Sequence, residues 1–219
     1  MNAINHAATA LLIRRKWPGV PLLPILLCVQ LVECLWVIFN LLGIEATYTA
    51  GEVHAINDIH LAHMPYSHSL ASSLLLAGLV WWLIARVFRR PGWGLALALA
   101  VLSHIMLDLL THVPDIALAP GIDSLKFGSG LYGIPIIALA FETLYGVWCW
   151  WVFRGSKALL AVILGFNLAA LSFYVPQIPG PEMWLAGHPK VFAAIIGLHI
   201  VAGWAAIWVF ARRQAVGRR

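Results

Sequence analysis

Long apolar segments separated by short polar ones dominate the pattern of this chain. Each reaches or nearly reaches the ~20 apolar residues that a helix needs to span a bilayer. A shorter apolar run, Ala3 to Ile13, precedes them and would cross about half of the hydrocarbon core as a helix. The pattern predicts an all-α, polytopic membrane helix bundle with a short N-terminal half-helix and six transmembrane helices, at 20–43, 66–88, 93–112, 131–153, 157–175 and 190–211.

Composition supports the same class. The 219 residues are 62% hydrophobic and 11% charged, whereas a soluble protein is nearer half apolar and a quarter charged. The length fits one integral-membrane helical domain, 1–219, with a site-bearing part at 1–153 and two further spans in 154–219. The three cysteines lie inside apolar runs without a Cys-x-x-Cys pair, so neither a disulfide framework nor a thiolate metal site is expected.

The basic residues predict the orientation of the bundle. Twelve of the fourteen fall on one side of the predicted spans, and only Lys126 and Lys190 fall on the other. By the positive-inside rule, both termini are therefore cytoplasmic. This topology accounts for the net charge of +5 without a nucleic-acid partner, and the expected partner is the lipid bilayer.

Ionisable residues form a stripe on the third predicted span. His104, Asp108, His112 and Asp115 are spaced at i, i+4, i+8 and i+11, which places them along one face of a helix. An ionisable group in hydrocarbon costs at least about 2.5–3.5 kcal/mol, so each needs a partner inside the protein.

Four further ionisable residues fall at matching depths when 1.5 Å per residue is counted from each presumed interface. They are Glu33, His68, Glu142 and, if the N-terminal half-helix enters the bilayer, His6. Imidazoles and carboxylates without thiolates suit Zn²⁺, and also Mn²⁺ or Fe²⁺. The same residues could instead form a proton or ion pathway, or polar packing between helices, and the pattern alone leaves these alternatives open.

Three sequence stretches resemble a family of small bacterial membrane proteins described as metal-dependent hydrolases and sometimes labelled permeases. The stretches are SHIMLDLLTHVPDIALAPG, MPYSHSL, and QLVECLW followed by GIE. The broader relatives of that family include LexA-regulated inner-membrane proteins, and the family is distantly similar to zinc-dependent phospholipase C. The resemblance runs from about residue 6 to residue 153 and implies the bacterial inner membrane as the location.

The family pattern carries over residue by residue. It implies the metal ligands His6, Glu33, His68, His104 and Asp108. Glu33 departs from the pattern, because aspartate after proline is usual there and Val32 precedes it here. Further polar positions of the family are matched by His112, Asp115 and Glu142.

These observations lead to the hypothesis of a membrane-embedded, metal-dependent hydrolase whose site opens to the periplasmic side. The substrate would be an ester or phosphoester, and lateral entry from the bilayer would allow a lipid. Glu142 is the expected general base and His63 a second candidate catalytic group. His112 and Asp115, at the outer mouth, are the expected substrate-binding groups.

Two rival functions use the same residues differently. A proton- or cation-coupled transporter could use the intramembrane acids and histidines as a relay, although the sequence has no repeated halves of broken helices. A non-catalytic accessory subunit could bind other membrane proteins through its tryptophan-rich helix faces. Of the remaining histidines, His199 is expected to be an ordinary interior residue and His188 a solvated loop residue.

Overall fold

The computed structural model describes residues 1–49, 56–122, 124–185 and 187–216, and these are mostly helical. The helices, in chain order, are α1 Ala3–Lys16, α2 Leu22–Val29, α3 Leu31–Leu42, α4 Leu70–Trp82, α5 Pro91–Leu109, α6 Pro135–Phe153, α7 Lys157–Ala169 and α8 Pro189–Val216. Two short antiparallel strand pairs join them: β1 Ala46–Thr49 with β2 Ile59–His63, and β3 Ile116–Ala117 with β4 Lys126–Phe127.

Four or five segments of the described chain qualify as membrane spans by length and hydropathy. Four are straight: α4 with its π-helical continuation to Val87, α5, α6 and α8. The fifth would be α2 and α3 together, which meet at a 52° bend. The all-α membrane class is thus confirmed, whereas the predicted fifth span at 157–175 contains a helix of only 13 residues, α7.

The bend in the first predicted span lies at Gln30. Gln30 follows the last residue of α2, and its side-chain Nε2 donates to the Ala3 carbonyl of α1 at 2.7 Å. The carbonyl of Val29 accepts a hydrogen bond from the His104 ring of α5. The Val29 carbonyl at the break is therefore satisfied by a side chain of α5, and the Gln30 side chain links the break to α1.

Helix α1 lies at the centre of the bundle. Its small and apolar residues Ile4, Ala7, Ala8 and Leu11 are fully buried, and it packs against α2, α5, α6, α7 and α8. Asn2 caps its start, and three basic residues end it at the negative pole of the helix dipole. The predicted N-terminal helix is confirmed and extends to Lys16.

Gly146 allows α1 to approach α6. A Cβ atom built on Gly146 would lie 2.6 Å from Asn5 Oδ1 and 2.8 Å from Ile163 Cγ2, which is closer than any packed contact. The missing side chain thus lets α1, α6 and α7 meet and brings the polar residues of α1 to the neighbouring helices.

Candidate metal centre

Four side chains from three separate elements converge beside the start of α1. Glu33 lies on α3, His68 precedes α4, and His104 and Asp108 lie one turn apart on α5. Both histidines and Asp108 are buried. Neighbouring ligand atoms lie 3.2 Å (His68 Nε2 to Glu33 Oε2), 3.3 Å (His104 Nε2 to Glu33 Oε2), 3.1 Å (His104 Nε2 to Asp108 Oδ2) and 3.8 Å (His68 Nε2 to Asp108 Oδ2) apart.

These spacings suit a metal ion. A Zn²⁺ ion bound at about 2.0–2.1 Å by nitrogen and oxygen holds neighbouring ligand atoms roughly 3–3.5 Å apart. Two overlapping groups could hold such an ion: Glu33 with His68 and His104, and His6 with His104 and Asp108. Both groups contain His104, so the cluster forms one centre.

His6 joins the centre from α1. Its Nε2 lies 3.1 Å from Asp108 Oδ1, and its ring stacks on His104 at 3.8 Å between centroids with 14° between the planes. The Met1 nitrogen lies 2.8 Å from the same Asp108 oxygen. The structure therefore brings together all five predicted ligands, while their role as ligands stays a prediction.

The hydrogen bond of His104 Nδ1 determines which proton the ring carries. Nδ1 lies 2.9 Å from the Val29 carbonyl, which can only accept, so Nδ1 carries a proton. A neutral ring then presents the Nε2 lone pair to the carboxylates of Glu33 and Asp108. Among the described residues, His104 Nε2 and Asp108 Oδ2 are buried without a hydrogen-bond donor for their lone pairs. The lone pairs of the two atoms thus face each other without a proton between them. A cation between these atoms, or a second proton on the ring, removes this repulsion.

A family sequence model described as YdjM inner membrane protein matches residues 29–180, more than half of the chain. The chain belongs to this family. Together with the apolar helices, this establishes an inner membrane protein in contact with the bilayer and agrees with the resemblance to inner-membrane relatives. No curated protein and no solved structure matches the chain.

The part of the chain that matches the YdjM model includes most of the centre. Glu33, His68, His104 and Asp108 lie inside it, and His6 lies before it. The match says nothing about hydrolysis or metal binding, so those parts of the resemblance stay predictions.

His112 and Asp115 lie next to the centre, as the stripe on the third span predicts. His112 Nε2 lies 3.6 Å from Asp108 Oδ1, and its Nδ1 lies 3.4 Å from Asp115 Oδ1. α5 ends at Leu109, so the two residues follow the helix in a turn, where the Asp108 carbonyl accepts from the His112 amide. Both residues also line the cavity beside the centre, while their place at an outer mouth stays a prediction.

Glu142 is buried in a separate polar cluster. Its Oε1 accepts from the Tyr132 and Tyr174 hydroxyls at 3.1 and 2.9 Å. Its Oε2 accepts from the backbone amide of Asn2 at 2.6 Å and from the side-chain Nδ2 of Asn5 at 3.2 Å. Four donors occupy the carboxylate, so a proton acceptor site is available only if one donor leaves. The predicted role as general base is untested, and the geometry favours a structural one.

Sequence reasoning missed the partners of Glu142. Tyr132 and Tyr174 lie at the boundaries of predicted spans, where the sequence gives no signal of a buried polar contact. Asn5 also exchanges hydrogen bonds with Asn167 of α7, at 2.9 and 3.2 Å. This exchange joins α1 to α7.

Other predicted residues lie outside the centre. His63 is exposed on β2, opposite Ala46, and no described hydrogen bond connects it to the centre. His188 is exposed, as expected. His199 is half-buried on α8, and its ring meets Phe166 edge-on at 5.0 Å. The outer-loop residues His54 and Asp123 lie outside the described residues.

A cavity of about 270 Å³ opens beside the centre. Its polar lining includes Glu33, His68, His112 and Asp115, and also Asn2, Tyr132, Tyr174 and His199. Its lining is otherwise mostly apolar and includes Trp36, Ile59, Phe173, Phe192, Ile195 and Ile196. Glu33 and His68 of the candidate metal centre therefore face a cavity with both polar and apolar lining.

A second hydrogen-bond chain orients His68 and was also missed. Ser67 Oγ lies 2.9 Å from His68 Nδ1 and 2.5 Å from Glu45 Oε2. Glu45, the acid of the GIE stretch, is buried, and it was not among the candidate site residues. Only the folded loop shows that its carboxylate points inward.

Proposed function

We propose that this chain is a membrane-embedded, metal-dependent hydrolase of an ester or phosphoester. The observation that carries the proposal is the convergence of the His68 and His104 Nε2 atoms on two carboxylates, with each Nδ1 already hydrogen-bonded elsewhere. Metal-binding histidines characteristically use their second nitrogen in this way. The expected ion is Zn²⁺, with Mn²⁺ or Fe²⁺ as alternatives.

The same hydrogen bonds favour a metal over a proton pathway. A histidine that relays protons takes one up on one nitrogen and releases one from the other. His104 Nδ1 faces the carbonyl of Val29, which has no proton to give and cannot pass one on. The transporter hypothesis therefore lacks a continuous relay at this residue.

In the proposed hydrolysis, residues of the centre would bind the ion and residues of the cavity would bind the substrate. Glu33, His68, His104 and Asp108, with His6, would hold the ion. A divalent cation in this position supplies Lewis-acid chemistry, polarising a carbonyl or phosphoryl group and activating water. His112 and Asp115, which also line the cavity, would bind the polar end of the substrate.

The cavity wall supports an amphiphilic substrate. Aromatic and aliphatic side chains of α3 and α8, such as Trp36 and Phe192, also line the cavity. An apolar chain placed there would leave water while its polar group meets the centre. A lipid entering from the bilayer fits this arrangement.

The experiment that tests the hydrolase is metal analysis of the purified full-length protein combined with a hydrolysis assay. We expect at least about one divalent ion per chain. Cleavage of bis(4-nitrophenyl) phosphate or 4-nitrophenyl octanoate should stop after chelation and return with Zn²⁺. A protein without stoichiometric metal, whose thermal stability responds neither to chelator nor to Zn²⁺, would overturn the proposal.

We also propose six membrane crossings, with α7 as a short fifth one, and both termini in the cytoplasm. Support comes from the basic residues at the C-terminal end of α1, between α4 and α5, and between α6 and α7. Arg90 and Lys16 lie over the rings of Trp93 and Trp17, at 4.3 and 5.2 Å, as expected of residues at a membrane interface.

Cysteine labelling from either side tests this topology. In a chain without its native cysteines, Leu125→Cys should react with an impermeant maleimide added to spheroplasts, because 113–130 is the outer loop. Arg15→Cys, also exposed, should react only after the membrane is opened. The reverse pattern would place the cavity on the cytoplasmic side.

A further inference from the structure

Glu45 is a buried carboxylate that accepts, from the described residues, three hydrogen bonds of the segment that precedes α4. Its Oε1 accepts from the backbone amides of Tyr66 and Ser67, each at 2.8 Å. Its Oε2 accepts from Ser67 Oγ at 2.5 Å. Glu45 itself does not reach the metal centre, but Ser67 contacts a residue that does.

The positions of the protons in the hydrogen-bond series Glu45–Ser67–His68 follow from its donors and acceptors. Ser67 has one hydroxyl proton, and an ionised Glu45 can only accept, so that proton lies between Ser67 Oγ and Glu45. Ser67 Oγ must then be the acceptor toward His68 Nδ1, 2.9 Å away. His68 therefore carries its proton on Nδ1, and the lone pair of Nε2 faces Glu33 Oε2 at 3.2 Å.

We propose that Glu45 is a positioning residue that, through Ser67, fixes His68 in the tautomer able to bind a metal ion. The expected effect on metal affinity rests on the proposed function, whereas the predicted tautomer of His68 does not. Carboxylates that orient a ligating histidine typically change metal affinity 10–100-fold when they are lost.

The backbone around Glu45 makes its position rigid. Gly43 ends α3 in the left-handed conformation, at φ 74°, and the amides of Ile44 and Glu45 both bond back to the Phe39 carbonyl. Two residues later, Thr47 Oγ1 donates to Asn40 Oδ1 of α3 at 2.9 Å. The carboxylate is thus held at the end of α3, the helix that carries Glu33.

A purely structural role for Glu45 is the alternative, and Glu45→Gln separates the two. The glutamine oxygen still accepts from the amides of Tyr66 and Ser67, so the loop stays clamped. Its NH₂ group, however, donates to Ser67 Oγ. Ser67 then turns its own proton toward His68 Nδ1, and the ring proton moves to Nε2, where a metal ion would have to bind.

The experiment measures the tautomer and the metal affinity in the same full-length protein. ¹⁵N-histidine NMR of the metal-free protein in lipid nanodiscs, with His68→Gln to assign the signal, should show Nδ1–H in the wild type and Nε2–H in Glu45→Gln. Zn²⁺ affinity, measured by competition with a chromogenic chelator, should fall about 10–100-fold in Glu45→Gln. Ser67→Thr keeps the hydroxyl and should retain both properties.

Two further variants complete the test. Ser67→Ala leaves the bonds from Glu45 to the backbone amides intact and should give a mixture of His68 tautomers, even if Glu45→Gln does not fold. Ser72→Ala, on the neighbouring hydroxyl that bonds Ser69, is the matched control and should leave the tautomer unchanged. An unchanged His68 tautomer in both Glu45→Gln and Ser67→Ala would overturn the proposal. A wild type that shows Nδ1–H but binds no Zn²⁺ would contradict the hydrolase alone.

Discussion

Replacement of Asp108 by alanine should empty the metal centre and destabilise the protein. Asp108 contacts three groups around it, with Oδ1 toward His6 and the Met1 amino group and Oδ2 toward His104. Removing one partner of a buried ion pair typically costs about 3–5 kcal/mol, and a bound ion would lose part of its charge compensation. We expect metal content below a tenth of wild type and earlier unfolding in an SDS titration.

Two amide variants show whether Asp108 acts as a ligand. Asp108→Asn keeps the volume and should lose the metal with a smaller loss of stability. Asp115→Asn is the matched control, because Asp115 meets the centre only through His112, and it should retain the metal. Full metal occupancy in Asp108→Asn would show that the carboxylate is not a ligand.

Helical periodicity made the centre on α5 predictable. His104 and Asp108 share one face because i and i+4 lie one turn apart on any helix. Depth then selected Glu33, His68 and His6, because the rise per residue converts sequence position into height in the bilayer. Hydrophobicity alone also predicted the helices, including the buried α1, since apolar runs of this length have few other stable states in a membrane.

Height does not determine the direction of a side chain around the bundle axis. Glu142 was selected by the same count of depth, yet it faces Tyr132 and Tyr174. The direction of the Glu142 side chain depends on the order of the helices around α1. Contacts between residues far apart in the sequence determine that order. Glu45 was missed for a similar reason, because a loop acid turns inward only when its backbone is folded back.

Two of the predicted spans are not single continuous helices, because the backbone breaks inside an apolar run. Residues 20–43 bend at Gln30, and the helix in 157–175 ends at Ala169. Hydropathy reports the transfer of side chains from water to lipid. It contains no information on where the backbone hydrogen bonds of a helix are interrupted. At Gln30 the interruption frees the Val29 carbonyl for His104, so the unpredicted break is part of the candidate site.

Glu142→Gln should unfold more readily than the wild type. The carboxylate joins α1, α6 and the two segments that carry Tyr132 and Tyr174. An amide offers one acceptor oxygen, so two of the four donors would face an NH₂ group. Each buried donor left unsatisfied costs about 1–3 kcal/mol, which gives a total of about 2–6 kcal/mol.

The same variant decides between the structural role and the general base predicted from the sequence. A structural Glu142 requires Glu142→Gln to lose stability even in metal-free protein, where catalysis cannot contribute. Tyr132→Phe and Tyr174→Phe each remove a single donor and leave the carboxylate three others, so each should cost only about 1 kcal/mol. A general base requires the opposite: SDS unfolding like the wild type, with hydrolysis lost. A structural role predicts a loss of stability in SDS, and a general base predicts a loss of hydrolysis. Glu142→Gln, with the two tyrosine variants as controls, therefore distinguishes the two roles of Glu142.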